Sequence, residues 1–149
     1  MSAKSARLVD FLPYLLSITS NAVSDRIAAE YSSRFGLKIP EWRVMAVLGD
    51  SGAHTQRELV GATRMDKVAV NRACKVLEDR GLIARSPNMR DGRSHHLELT
   101  ATGREVHGAI MPIALKMEEH LFSGLSAPER KTFKDLLQRI REQAGEKEP

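Results

Sequence analysis

The residues of this chain best suited to chemistry fall between positions 55 and 95, and that chemistry is recognition rather than bond-making. Lys67, Asn71, Arg72 and Lys75, with Ala69 among them, are left on the outer side of a helical pattern whose inner side is Val70, Ala73, Cys74 and Leu77. An asparagine amide pairs bidentately with adenine, and a guanidinium pairs with guanine or a phosphate. A residue as small as Ala69 lets a helix approach DNA closely. A second basic pair, Arg90 and Arg93, brackets Asp91-Gly92 in a run of turn residues, with Ser94 following. Arginine on a narrow projecting loop suits a minor groove, where A/T-rich sequence concentrates negative potential. Asp91 can brace that loop. Thr55 and Gln56, at the head of the short helix upstream, complete the candidate DNA-contacting set.

Other chemistries are poorly supplied. Gly49-Asp50-Ser51-Gly52 superficially resembles a serine nucleophile loop, but the reaction needs a histidine and a carboxylate held in geometry, and a helix stop explains the same residues. No catalytic residue is assigned. Adjacent His95 and His96 fall on opposite faces of a strand, a poor chelating pair, and no paired-cysteine or zinc-protease motif appears; neither metal nor cofactor is expected. Cys74 lies on the inner face of its helix, where thiols are usually inert.

These residues need a frame. Leu12, Leu15, Ile18, Ala22 and Ile27 recur near helical spacing down to Tyr31 and Phe35, with Asp10 as a candidate cap, Pro13 in the first turn and Gly36 at the end. The start of this helix is apolar on more than one face, which one core does not require; a second subunit is expected there. A second helix runs from Pro40 to Asp50-Ser51-Gly52. Thr55-Gln56-Arg57-Glu58 is a capping box that opens a short third helix. Asp66 caps a fourth, Lys67 to Arg80, which Gly81 closes. Then the period becomes strand-like: Leu82–Arg85 and His95–Leu99, joined by Ser86–Ser94, a loop longer than most hairpin turns. Thr100 caps a long fifth helix with Val106, Ile110, Ile113, Met117 and Leu121 on one stripe. Ser126-Ala127-Pro128-Glu129 caps a sixth with Phe133, Leu136, Leu137 and Ile140. The expected fold is mainly α: a winged helix-turn-helix with a two-stranded wing, flanked by N- and C-terminal dimerisation helices. Its divisions are 1–36 (dimerisation helix), 37–100 (DNA-binding region) and 101–149 (dimerisation helices), within one compact chain.

Size and charge agree. The 149 residues are 42% hydrophobic and 28% charged, enough for one core and ordinary for a water-exposed surface. The net charge is +4; Thr55–His95 holds nine basic and five acidic residues, so the surplus is confined to the candidate DNA-contacting segment. No apolar stretch approaches a bilayer span, no signal pattern opens the chain, and a single cysteine forms no internal disulfide. A cytoplasmic location without membrane contact is expected.

The ordered motifs Trp42-Arg43-Val44, Leu77-Glu78-Asp79-Arg80-Gly81-Leu82-Ile83-Ala84-Arg85, Asp91-Gly92-Arg93, Leu99-Thr100 with Gly103, and Leu125-Ser126-Ala127-Pro128-Glu129-Arg130 resemble the MarR family over nearly the whole chain. The resemblance implies a triangular dimer built by the first, fifth and sixth helices, a recognition helix near Lys67–Lys75 and a wing arginine at Arg93; two recognition helices related by a two-fold axis should then read a pseudo-palindromic DNA operator. Many members are repressors released by small, often aromatic ligands, so such an effector is implied; Ile18, Trp42, Met45 and Met111 would line its pocket between the DNA-reading unit and the dimer helices. The recognition helix departs from the family at Ala69 and Asn71, where members often carry Ser or Thr, a difference that falls on base readout and not on fold. The competing reading is a winged-helix module that contacts protein or RNA; duplex binding that weakens steeply with salt separates the two.

Overall fold

The computed structural model describes residues 7–88, 90 and 92–145. A 3-10 turn (Leu8–Asp10) precedes α1 (Leu12–Phe35), α2 (Ile39–Ser51), α3 (Gln56–Thr63), α4 (Lys67–Asp79), β1 (Ile83–Pro87), β2 (His95–Leu99), α5 (Ala101–Leu121) and α6 (Ala127–Gln143). Four helix starts are made by the expected local chemistry. Thr55 Oγ1 accepts from Glu58 N, and Glu58 Oε1 in turn accepts from Thr55 N; Ser126 and Glu129 repeat the exchange. Asp66 accepts from Ala69 N, and Thr100 from Gly103 N. Asp10 is a correction. It lies in the 3-10 turn, and α1 begins after Phe11 with no side-chain cap; Pro13, which has no N–H to satisfy, sits in the first turn as expected. Gly36 ends α1 at φ 64°.

One core holds α1 to α5 together. Tyr31, Leu37, Val44, Met45 and Leu48 meet Leu59 of α3, Val70, Ala73, Cys74 and Leu77 of α4, Leu97 and Leu99 of β2, and Ile110 of α5. Arg80 adds a long-range tie. Its guanidinium donates to the carbonyls of Phe35 and Gly36 at 2.7 and 3.2 Å, filling the acceptors left at the end of α1. The strands pair antiparallel from Ile83↔Leu99 to Pro87↔His95. β1 therefore starts one residue later than the pattern suggested and runs two further, and the wing loop shortens to Asn88–Ser94. Leu82 instead turns the corner: it is buried, and its carbonyl accepts from Thr100 N. A bridge between His54 and Leu97, with backbone bonds of 3.0 and 2.8 Å, ties the start of the helix-turn-helix to the wing.

The stripe of α5 divides: Ile110 and Met117 are buried, while Val106, Ile113 and Leu121 are half-buried. The apolar start of α1 stays open in the protomer, with Leu8, Val9, Phe11, Leu12, Leu15, Leu16 and Ile18 all exposed. So do Phe133, Leu136 and Ile140 of α6. At the α5–α6 corner Arg130 holds the chain by donating to the carbonyls of Phe122 and Leu125. No helix among the described residues is long and apolar enough to cross a membrane.

Candidate nucleic-acid interface

The α3–turn–α4 unit is closed by Arg64, which takes the left-handed conformation (φ 58°) at the end of α3; its guanidinium donates back to the Gly61 carbonyl. α4 then presents two faces. Val70, Ala73, Cys74 and Leu77 are buried, and Lys67, Asn71, Arg72 and Lys75 are exposed; Ala69 is half-buried beside its cap. Val68 is also exposed, at 58%, in the first turn. It belongs to neither the inner stripe nor the charged set of α4, and an open apolar side chain there can meet a thymine methyl.

Two adjoining hollows join this helix to the wing. The first, about 400 Å³, is lined by Thr55, Gln56 and Arg57 from α3's start, Arg85 from β1, and Asn88, Arg93, Ser94 and His95 from the wing. The second, about 430 Å³, is lined by Gln56, Arg57, Val60, Lys67 and Asn71. Gln56 and Arg57 border both, so a continuous polar and cationic surface runs from Arg93 to Asn71. Of the expected contact residues, Thr55, Gln56, Arg93 and Ser94 share the first hollow, and Gln56, Lys67 and Asn71 the second. Ala69, Arg72 and Lys75 face away from both, onto the opposite flank of α4 beside Lys38. Arg90 is exposed on the wing. Asp91 lies outside the described residues. Within the wing, Asn88 donates to Ser94 Oγ at 2.9 Å and accepts from Arg90 N at 3.0 Å. Arg57 was missed because its role as capping-box filler said nothing of the wing opposite it; its exposed position beside Gln56 was the available signal.

Cys74 is fully buried, and desolvation pushes its thiol up to about 11. Burial likewise pushes the Tyr31 hydroxyl up to about 12. Both groups are neutral when protonated and hold their protons more tightly folded than unfolded. Stability should therefore be intact below pH 9 and fall as pH rises past the ordinary thiol and phenol values, toward 11 and 12. Urea midpoints from pH 8 to 11 check this: Cys74→Ala should flatten the lower part of the decline, and an unchanged curve would show that the thiol ionises freely in the fold.

Ser51 and His54 do approach, with Oγ 3.3 Å from Nε2. The other ring nitrogen, however, is 2.7 Å from the Gly52 carbonyl, not from a carboxylate, and the Ser51 hydroxyl also donates to Val47 O. The pair closes the α2–α3 connection without the polarity of a hydrolytic triad. The four residues expected around an effector are spread: Met45 is sealed in the core, Trp42 packs between Tyr31 (ring centroids 5.7 Å apart) and His107 (5.6 Å), Met111 is half-buried and Ile18 is exposed.

A two-stranded wing following a helix–turn–helix, on a helical frame, defines a winged helix-turn-helix protein. The MarR family pattern matches residues 35–94, from the end of α1 to the wing. The transcriptional regulator HosA of Escherichia coli is 30% identical over 101 residues, spanning 68% of this chain and 75% of HosA. An HTH-type transcriptional repressor of Mycobacterium tuberculosis is 28% identical over 129 residues, 87% of this chain and 92% of the repressor. A mutant MarR from E. coli, solved in complex with operator DNA, has the same fold: TM-score 0.78, 24% identity, covering 91% of this chain and 99% of that one. The chain belongs to the MarR family and is a transcriptional regulator.

Proposed function

We propose that this chain acts as a homodimeric repressor in the cytoplasm, binding a roughly palindromic operator and releasing it when a small aromatic effector binds. The observation that carries the DNA part is the continuous surface from Arg93 through Arg57 and Gln56 to Asn71. Asn71 and Val68 read base edges in the major groove, Lys67 and Arg57 neutralise phosphates, and Arg93 enters the minor groove beside Arg90. Arg72 and Lys75, on the opposite flank of the same helix beside Lys38, neutralise further phosphates. Its role is binding, not turnover. Dimerisation is supported by the exposed apolar start of α1 and the exposed stripe of α6; two recognition helices related by a two-fold axis then sit about one DNA turn apart. The effector reading is supported by relatives: a fold neighbour from Bordetella bronchiseptica (24% identity, TM-score 0.82) has DNA binding regulated by 6-hydroxynicotinic acid. A seat around Ile18, Trp42, Met45 and Met111 would require α1, α2 and α5 to part, because Met45 is fully enclosed.

The test is base preference. Sites bound by the purified protein are selected from a genomic library, and Asn71→Ala is compared on single-base variants. Preference at one major-groove position should relax by about 1–3 kcal/mol, with the slope of affinity against salt unchanged. Equal discrimination by both proteins at every position would remove Asn71 from the interface.

A further inference from the structure

A helix in the major groove and a wing in the adjoining minor groove have one sugar–phosphate strand between them, because that strand is the wall the two grooves share. The surface joining α4 to the wing therefore faces phosphate. Here that surface is the hollow of about 400 Å³ bounded by the start of α3, β1 and the wing. Besides Gln56, Arg57 and Arg93 it holds a side chain of different character. His95, the first residue of β2, is exposed, lines the hollow and pairs with Pro87 across the sheet. Histidine has an ordinary pKa of about 6.5 and so changes charge between pH 5 and 8. The charged groups around this hollow come from three elements. α3 supplies Arg57, the wing supplies Arg93, and β1 supplies Arg85, which is already paired with Glu78 of α4 at 2.8 Å. No carboxylate lines the hollow among the described residues. The neighbouring histidines have a different setting. His96 points to the other face of the strand. The Glu58 carboxyl is held below the usual carboxylate range by its bonds with Thr55 and, less strongly, by His54 and His96.

We propose that His95 is a further DNA contact, one that meets a backbone phosphate as the imidazolium, so that each protomer takes up a proton when it seats on its operator. This rests on the DNA-reading surface described above and adds to it a contact whose charge depends on pH. In the free protein the ring shares its hollow with arginines. On DNA a phosphate enters, and an opposite charge within about 4–6 Å favours the protonated ring. A ring nitrogen then donates a charge-assisted hydrogen bond to a phosphate oxygen. The ring holds its proton more tightly in the complex than in the free protein. The added affinity is therefore fully present below the ordinary histidine value and is lost as pH rises through the higher value of the complex. A two-fold dimer counts the effect twice. Arginine, lysine and ordinary carboxylates do not change charge over this interval, so the operator is held more tightly as pH falls from 8 to 6 through this contact alone.

The test titrates the full-length dimer against a duplex selected from the genomic library, at pH 6.0 and pH 8.0 and constant ionic strength. Wild type should bind at least about tenfold more tightly at pH 6.0, with the slope of log affinity against log salt steeper there by about one per protomer. His95→Gln should keep its thermal unfolding midpoint and bind with affinities within about twofold at the two pH values. His95→Lys places a fixed charge at the same point and should bind at pH 8.0 about as tightly as wild type does at pH 6.0, a rescue that a merely structural histidine would not allow. Calorimetry in two buffers of different ionisation enthalpy should count about half a proton taken up per protomer near pH 7, and almost none for His95→Gln. His96→Gln should show the wild-type pH dependence. Three results would overturn the contact and leave the DNA-reading surface standing: wild-type affinity within twofold at the two pH values, a pH dependence that survives in His95→Gln, or one that vanishes in His96→Gln. Absence of duplex binding at both pH values would overturn the two together.

Discussion

Gly103→Ala should strongly destabilise this protein. A Cβ at position 103 would stand 1.9 Å from the Leu82 carbonyl oxygen and 3.3 Å from Leu99 Cδ2. The oxygen is backbone, and it is held in place by accepting from Thr100 N at 3.0 Å. Relief therefore requires the β1 entry and the start of α5 to separate, at a cost of about 3 kcal/mol. For a chain of this length that lowers the unfolding midpoint by about 6–12 °C. The corner is also where the wing joins α5, so operator affinity should fall with it. Gly108→Ala, in α5 with nothing within 4 Å of the added carbon, supplies the opposite sign: a helical glycine replaced by alanine should gain about 0.5–1 kcal/mol. Thermal unfolding followed by circular dichroism checks both. Equal midpoints for Gly103→Ala and wild type would mean that the wing and α5 do not pack as described.

A comparably large effect is expected from Leu12→Glu combined with Leu16→Glu. Both side chains are exposed in the protomer, Leu12 at 75%, and neither contributes to its core. The change costs the protomer's own packing almost nothing, yet places four carboxylates at the interface of a two-fold dimer, where unpaired charge costs several kcal/mol. Sedimentation at micromolar concentration should show dimers for wild type and monomers or aggregates for the variant. Affinity for a palindromic operator should fall by about a hundredfold or more, since two half-sites can no longer be engaged by one particle. An intact dimer in the variant would move the interface away from the start of α1.

The parts of this structure governed by neighbours in sequence were legible there. Thr55 with Glu58, Asp66, Thr100, and Ser126 with Glu129 cap the helices they were assigned to, because a capping bond closes within three residues. The inward set Val70, Ala73, Cys74 and Leu77 followed from helical period alone. What required the fold was missed or misplaced. The His54–Leu97 bridge joins segments more than forty residues apart through backbone atoms, which carry no side-chain signal. β1 reaches Pro87 because β2 sets the register, whereas the local turn chemistry of Ser86-Pro87 pointed to a loop; on an edge strand, proline's missing N–H is tolerated. Asp10 had the composition of a cap but not the position, since the 3-10 turn uses it first. Arg57 became a bridging residue only when the wing folded opposite it.

The most direct test of the DNA-reading account is Arg93→Ala, titrated against a bound operator at several salt concentrations. Arg93 is exposed and lines the hollow between α3 and the wing, so the fold should be nearly unchanged. The account predicts an affinity loss of about 1–3 kcal/mol, a slope of log affinity against log salt shallower by about one, and the largest loss on operators with A/T-rich flanks. Affinity equal to wild type at every salt concentration would contradict it, because the wing would then not touch DNA.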